Sequence, residues 1–131
     1  MIDHVSIAVS DLERSKRFYS RLLGTLGLTV LIERPGTAGF GKKYPEFWIN
    51  LRSDMAPVGA DSGTHICLRA PDTDAVQAFF AAATEAGGSA DEPPKLWPQY
   101  HARYFAAFIR DPDGNRIETV HFVDAGSGEP G

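Results

Sequence analysis

The sequence predicts an α+β fold in which two repeated βαβββ modules form one open, curved mixed sheet with the helices outside. The main observation is internal repetition, since an offset of 61 residues superposes His4 on His65 and Asp11 on Asp72. In each copy a segment of alternating apolar and polar residues precedes apolar residues at helical spacing. Apolar residues on one strand face and mixed, polar residues on the other are typical of a sheet curved around a pocket.

The first module follows the order β-α-β-β-β. Residues 3–9 alternate as a half-buried strand, and Ser10 with Glu13 matches a capping box at the start of a helix. Gly24 and Gly27 are expected to end that helix. Three further strands are expected at residues 28–33, 39–41 and 46–52.

The second module repeats this order with an insertion. A strand over residues 64–70 precedes a helix capped by Asp72, and a short strand follows near Ala90. The three prolines of residues 93–101 favour a loop there. The remaining strands, residues 104–110 and 116–122, form a hairpin across the turn sequence Asp-Pro-Asp-Gly-Asn.

The length of the chain bounds its domain organisation. At 131 residues it is expected to form a single domain over residues 1–123, with modules at about 1–55 and 62–123. The segment 124–131 is rich in glycine, serine and proline and is predicted to be a disordered tail.

Composition excludes several classes of partner and location. The net charge is −4 and basic residues do not cluster, so nucleic acid is not an expected partner. The single cysteine, Cys67, excludes an intramolecular disulfide, and its apolar neighbours predict a small buried side chain. No apolar run is long enough to span a membrane and no signal-peptide pattern is present, so a cytoplasmic protein is expected.

A set of possible metal ligands emerges from the repeat. Aligning Phe40 with Phe108, at an offset of 68 residues, brings Asn50 onto Glu118. The inward faces of the central strands then carry His4, His65 and Glu118. Two imidazoles and a carboxylate form a common ligand set for a divalent metal ion, with positions left for water or substrate.

Three segments together carry a resemblance to a known superfamily. They are His4-Val-Ser-Ile-Ala-Val-Ser-Asp-Leu with Phe18-Tyr19, the recurring His65, and Arg110-Asp-Pro-Asp-Gly-Asn-Arg-Ile-Glu118. Over residues 1–123 the chain resembles the vicinal oxygen chelate superfamily, which includes glyoxalase I, extradiol dioxygenases, fosfomycin-resistance enzymes and bleomycin-resistance proteins. The resemblance implies paired βαβββ modules, a divalent metal in the concave sheet, a small-molecule substrate and a homodimer.

The resemblance also implies roles for individual residues. The matching metal ligands are His4, His65 and Glu118, and the ion would be zinc, nickel, iron or manganese. The fourth glyoxalase ligand is usually glutamate or glutamine, whereas this chain has Asn50, which is shorter and uncharged. That departure disfavours the glyoxalase reaction and leaves a three-ligand set similar to that of the dioxygenases and fosfomycin-resistance enzymes.

Several other residues are candidates for contact with a substrate. Tyr100 or His101 would act as a hydrogen-bond donor or general base, although the aromatic segment around them could equally pack over the sheet as an ordinary loop. Trp48 is expected to form a pocket wall for a planar substrate or, alternatively, part of the core, and Tyr104 is expected to point inward. Arg69 shares a strand face with His65 and could bind a carboxylate or phosphonate, or end its strand in solvent.

Two functions from different classes remain. The leading one is a metal-dependent lyase, isomerase or dioxygenase acting on a small substrate that chelates the metal through two adjacent oxygens. The alternative is a metal-free protein that sequesters a small, antibiotic-like molecule, as bleomycin-resistance proteins do, in a cleft lined by Trp48, Tyr100 and Tyr104.

Overall fold

The computed structural model describes residues 1–124 and divides their helices and strands between two modules. The first module consists of β1 (Val5–Val9), α1 (Leu12–Gly24), β2 (Thr29–Arg34), β3 (Thr37–Gly41) and β4 (Pro45–Leu51). The second consists of β5 (His65–Arg69), α2 (Thr73–Glu85), β6 (Ser89–Leu96), β7 (Tyr104–Arg110) and β8 (Arg116–Phe122). The predicted tail lies outside the described residues apart from Asp124. Within residues 1–124 no helix is long and apolar enough to cross a membrane.

The strand order is the same in both modules, which confirms the predicted repeat. The first sheet has the order β1-β4-β3-β2 and the second β5-β8-β7-β6, so hydrogen bonding forms two four-stranded sheets rather than one continuous sheet. In each sheet the first strand pairs in parallel with the last, and the other pairs are antiparallel. The connection between the two parallel strands contains the helix followed by the other two strands of the module, and parallel strands require such a long crossover.

The two helices begin at equivalent aspartates. The Asp72 carboxylate accepts a hydrogen bond from the Ala75 amide at 2.7 Å, which confirms the predicted cap of α2. The expected capping box of α1 is wrong by one residue, because Asp11 accepts from the Arg14 amide at 3.0 Å. The Ser10 hydroxyl donates instead to Asp113 of the second module, which leaves the cap to the residue that matches Asp72.

The segment rich in proline corrects another expectation. Residues 93–96 belong to β6 instead of a loop, and only the part after Leu96 leaves the sheet. β6 is an edge strand, and its pairing with β7 is interrupted between Ala90 and Glu92 and again between Glu92 and Lys95. Edge strands and bulges tolerate proline because an amide there need not donate to a neighbouring strand.

One hydrophobic core joins the two modules. Buried side chains from both sheets and both helices form a single cluster, which includes Phe18 of α1, Phe47 of β4, Phe79 of α2 and Ile117 of β8. The α1 and α2 helices also contact each other. The apolar face of each sheet is therefore covered by helices that share one core.

The turn between β7 and β8 fastens the modules together through Asp111. This side chain is 3% exposed, and one of its carboxylate oxygens accepts a hydrogen bond from the Tyr19 hydroxyl of α1 at 2.6 Å. The Asn115 side-chain amide donates to the same oxygen at 2.9 Å. Burial raises the pKa of Asp111 above its ordinary value, and these two donors act in the opposite direction by favouring the carboxylate.

A second group of contacts extends the fastening to β1 and the start of α1. Asp113 accepts from the Ser10 amide at 3.0 Å and lies 3.3 Å from the Arg14 guanidinium. Asn115 donates from its side chain to the Ala8 carbonyl at 2.9 Å. The turn that closes the second module thus replaces hydrogen bonds that the end of β1 would otherwise make with water.

We expect Tyr19→Phe to lower the free energy of unfolding by about 1.5–3 kcal/mol, because it removes a buried hydrogen bond to a carboxylate without altering the ring. Urea denaturation measures the change. Tyr44→Phe is the matched control, since Tyr44 is 57% exposed, and it should change the stability by less than about 0.5 kcal/mol. Equal stabilities of the two variants would show that the Asp111 contact does not hold the modules together.

We expect Gly88→Ala to destabilise the protein by about 1–3 kcal/mol through overpacking at the module interface. A Cβ at this position would lie 2.5 Å from the Arg110 carbonyl oxygen and 2.7 Å from the Phe18 ring. A Cβ at Gly24, at the end of α1, would have no atom within 4 Å. Gly24→Ala should therefore raise the free energy of unfolding by about 0.5–1 kcal/mol. Opposite shifts of the urea midpoint would support the close approach, and a neutral Gly88→Ala would contradict it.

Candidate functional site

Each sheet has one polar face, which lies opposite the shared core. The register of β1 with β4 places Ser6 beside Trp48 and Ala8 beside Asn50, and these residues with His4 form the first polar face. The register of β5 with β8 places Cys67 beside Glu118, and strand alternation adds His65 and Arg69 to the same side. We call this side of the second sheet, which also carries Tyr104 opposite Phe122, the second polar face.

A buried carboxylate is the centre of the second polar face. Glu118 is 2% exposed, and its Oε1 lies 3.0 Å from Nε2 of His65. Its other oxygen accepts a hydrogen bond from the Tyr104 hydroxyl at 2.6 Å. The Glu118 carboxylate is therefore held between an imidazole and a phenol, with each oxygen aimed at a different partner.

The spacing of His65 and Glu118 fits a shared metal ion. Imidazole nitrogen and carboxylate oxygen bind such ions at about 2.0–2.2 Å, so two neighbouring ligands on one ion are about 3 Å apart. The observed separation of 3.0 Å between Nε2 and Oε1 meets this condition. The histidine side chain is 37% exposed, which leaves its outer edge open to solvent.

Tyr104 is held as a hydrogen-bond donor. Burial and its hydrogen bond to Glu118 raise the pKa of the Tyr104 phenol above its ordinary value, so the hydroxyl keeps its proton at neutral pH. A protonated phenol orients the carboxylate without adding charge to the site.

Cys67 corrects one expectation from the sequence. It was predicted to be a small buried side chain, but it is exposed on the second polar face, and its sulfur lies 4.0 Å from the Tyr104 hydroxyl. Partial desolvation of the thiol by its neighbours and the nearby Glu118 charge raise its pKa to about 12. Strand alternation from His65 would have placed Cys67 on this face, since the two are separated by one residue.

On the first polar face, His4 and Asn50 bond within their own module. His4 Nδ1 lies 2.7 Å from the Asp3 carboxylate, and the histidine side chain is 52% exposed. The Asn50 carbonyl oxygen accepts from the Thr37 hydroxyl at 2.7 Å, and its amide nitrogen donates to the Ser6 hydroxyl. The oxygen that asparagine could offer to a metal is thus already engaged.

Trp48 covers the middle of the first sheet. Gly39 permits this position, because a Cβ there would lie 2.9 Å from the indole. The Arg34 guanidinium lies 5.8 Å from the ring centre. The indole is half-buried, so one side remains available as a wall of the first polar face.

Aromatic side chains form a wall beside Glu118. Trp97 and Tyr100 stack with ring centres 5.7 Å apart, Tyr100 meets Tyr104 edge to face, and Tyr104 meets Phe122 in the same way. Trp97 is fixed by a hydrogen bond from its indole to the Ala106 carbonyl, whereas Tyr100 is 60% exposed. We call these four residues the aromatic wall.

His101 and Arg69 lie at the edges of the aromatic wall. The His101 ring packs against Phe122, and its Nδ1 accepts a hydrogen bond from the Arg103 amide at 3.0 Å. The Arg69 guanidinium lies 5.3 Å from the centre of the Phe122 ring. Arg69 also lines a cleft of about 250 Å³ that both modules share, with Glu46 and Phe47 on its other side.

The structure brings some of the predicted ligands together and leaves one apart. His65 and Glu118 are in contact, whereas His4 belongs to the first polar face and bonds to Asp3. Residues 1–124 contain no group of three or more histidine, cysteine, aspartate or glutamate side chains placed to hold one metal ion. The hydroxyl that reaches Glu118 is that of Tyr104, while Tyr100 and His101 are farther out on the aromatic segment.

Comparisons with known proteins agree with this architecture. Residues 1–119 match the family model of the Glyoxalase/Bleomycin resistance protein/Dioxygenase superfamily. The chain is 30% identical over 134 residues to the lactoylglutathione lyase of Salmonella typhimurium, with 95% of each protein covered.

Solved structures show the same similarity. A glyoxalase/bleomycin resistance protein from Albidiferax ferrireducens is 33% identical, with a TM-score of 0.82 and with 92% of this chain and 98% of that chain covered. A related domain from Frankia sp. shares the fold at 17% identity, with a TM-score of 0.71 and with 94% and 98% covered. The repeat, the two helix-covered sheets and these matches show that the chain belongs to the Glyoxalase/Bleomycin resistance protein/Dioxygenase superfamily.

Proposed function

We propose that the chain is a metal-dependent enzyme that acts, as a lyase, isomerase or dioxygenase, on a small substrate with two adjacent oxygens. The observation that carries this proposal is the contact of His65 with the buried Glu118 at 3.0 Å. Glu118 is 2% exposed and carries its charge against the imidazole, and a divalent ion bound by both Oε1 and Nε2 would compensate that buried charge more fully than the imidazole alone. A divalent cation held there would act as a Lewis acid on the substrate oxygens.

The complete ligand set would draw on both polar faces. His65 and Glu118 would hold the ion from the second polar face, and His4 would contribute from the first. The two faces lie on the reverse sides of sheets whose apolar sides meet in one core. We therefore propose a homodimer in which the first polar face of one chain meets the second polar face of its partner.

The remaining residues of the site would position the substrate and carry protons. Tyr104 holds the Glu118 carboxylate in one orientation, and the aromatic wall borders the site beside that carboxylate. In His101 the Nδ1 atom accepts a hydrogen bond, so in the neutral ring the proton lies on Nε2, from which it can be donated. Tyr100, Trp48 and Arg69 would form the outer surfaces that contact the substrate.

The lactoylglutathione lyase relatives suggest one reaction within this class. The engagement of the Asn50 oxygen by Thr37 argues against a fourth protein ligand of the kind found in glyoxalases. The proposal therefore extends to a substrate that chelates through adjacent oxygens, and does not extend to lactoylglutathione itself.

The aromatic wall favours a second candidate function. The exposed ring of Tyr100, which stacks on the buried Trp97, could bind a planar molecule without any metal, as in a sequestering protein of the bleomycin-resistance type. The two functions differ in their response to a chelator, because sequestration by stacking alone requires no ion.

We expect the purified wild-type protein to contain about one divalent metal ion per chain, and His65→Ala and Glu118→Gln to lose most of it. Elemental analysis after dialysis against metal-free buffer measures the content. His121→Ala is the matched control and should retain the metal, because His121 lies on the opposite strand face and contacts the Ala70 carbonyl. A wild-type protein that takes up no metal on reconstitution, yet binds a planar ligand in EDTA, would favour sequestration instead.

We expect His4→Ala and His65→Ala chains to complement each other when they are co-expressed. If the site is shared, each heterodimer has one intact ligand set and one that lacks both histidines. Random association makes about half of the dimers heterodimers, so about a quarter of the wild-type metal content should return. Light scattering after size-exclusion chromatography measures the mass of the assembly. A metal content equal to the average of the two single variants would contradict the shared site and place all the ligands within one chain.

A further inference from the structure

Two arginines converge beside the second polar face without a full set of acceptors. Arg110 and Arg116 are neighbours in the β7–β8 register, and both approach the same oxygen of Asp91. The Arg116 Nε atom lies 2.5 Å from that oxygen, and the Arg110 Nη2 atom lies 3.8 Å from it. Two guanidinium groups facing one carboxylate leave a net positive charge at this end of the sheet.

The donors of Arg116 are only partly used. Among residues 1–124 its hydrogen bonding is limited to Nε, while both terminal nitrogens are without an acceptor. Its guanidinium carbon lies 4.1 Å from the centre of the Phe108 ring, which holds the planar group in place by a cation–π contact. The side chain is 28% exposed, so solvent molecules and small solutes can reach it.

A cavity opens directly in front of these donors. It has a volume of about 230 Å³ and is lined by both arginines, Asp91 and the Ser62 and Thr64 segment that leads into β5. Guanidinium groups combined with hydroxyl side chains can bind an anion through several hydrogen bonds at once.

The cavity adjoins the candidate metal ligands. Arg116 packs on the Phe108 ring, and the centre of that ring lies 5.6 Å from the centre of the His65 ring. The guanidinium and the imidazole therefore contact the same phenyl side chain. A smaller cavity of about 40 Å³ shares Ser62, Thr64 and Arg116 with the first, and its lining also includes His65, Ile66 and Ile117. One small molecule could therefore contact the imidazole and the guanidinium together.

We propose that Arg110 and Arg116 form a carboxylate-binding subsite, which the sequence reasoning did not identify. This extension rests on the proposed function. Together, the subsite and the metal site would select a small organic acid with a carboxylate a few bonds from its chelating oxygens. The bidentate geometry of guanidinium suits a planar carboxylate. Asp91 already occupies the Nε donor of Arg116 through one carboxylate oxygen and would compete with the incoming anion.

The subsite is tested first without metal, by NMR of the protein in EDTA. Titration with propionate should shift the Nε–H resonances of Arg110 and Arg116 in a saturable way, whereas neutral propionamide should not. Arg116→Gln should weaken propionate binding by about ten-fold or more, the loss of a charge-assisted hydrogen bond. Arg17→Gln removes the same charge from an exposed position on α1 and should leave the affinity unchanged.

A second variant keeps the subsite testable if Arg116→Gln unfolds. Asp91→Asn removes the competing carboxylate and should tighten propionate binding, an effect that loss of structure cannot produce. Absence of saturable shifts in the wild-type protein would overturn the subsite. Equal binding by wild type and folded Arg116→Gln would overturn it as well, and would leave the arginines as a structural ion pair with Asp91.

A final comparison separates the subsite from the metal proposal. In the metal-loaded protein, the hydroxamate of succinic acid that retains one carboxylate should bind about ten-fold more tightly than acetohydroxamate, and Arg116→Gln should abolish that advantage. Propionate binding in EDTA without hydroxamate binding would keep the subsite and reject the metal site. If both hydroxamates bind equally well and propionate does not bind, the metal site would be kept and the subsite rejected.

Discussion

The structure depends on a buried carboxylate at the junction of its modules. Asp111 lies where the second module meets α1, and the Tyr19 hydroxyl approaches it at 2.6 Å. Burial disfavours the charged form and raises the pKa of Asp111, so the carboxylate must be satisfied by donors from both modules. The same turn begins β8 and thus determines where Glu118 lies. Joining the modules and positioning the candidate ligand are therefore tasks of one short segment.

Much of this architecture could be predicted from the sequence because each half of the repeat indicates the same order of strands and helix. Strand alternation and helical spacing indicated the order of both modules, and the equivalence of Asp11 with Asp72 marks the true start of each helix. The helix start at Ser10 was wrong because the partner of that hydroxyl, Asp113, is 103 residues away. The strand through Pro93 was missed because its place at the sheet edge is a property of the tertiary structure.

The contact at the centre of the second polar face was predictable from the sequence, whereas its surroundings were less so. His65 and Glu118 were identified from the repeat, and the structure brings them into contact. Tyr104 and Cys67 follow from alternation once the strands are known, but the cluster they form requires the β5–β8 register. Arg116 gave no signal by itself, since its significance comes from a cavity that three separate segments enclose.

The two modules share a fold but differ in what their polar faces can do. The first has an exposed histidine and an asparagine whose oxygen is engaged by Thr37. The second combines a buried carboxylate, an imidazole, an aromatic wall and a pair of arginines. Because the shared core uses the apolar side of both sheets, each polar face is left outside that core. In the homodimer proposed above, a second copy of the chain would supply the missing histidine to the richer face, and the two-fold symmetry of the dimer would create two equivalent sites.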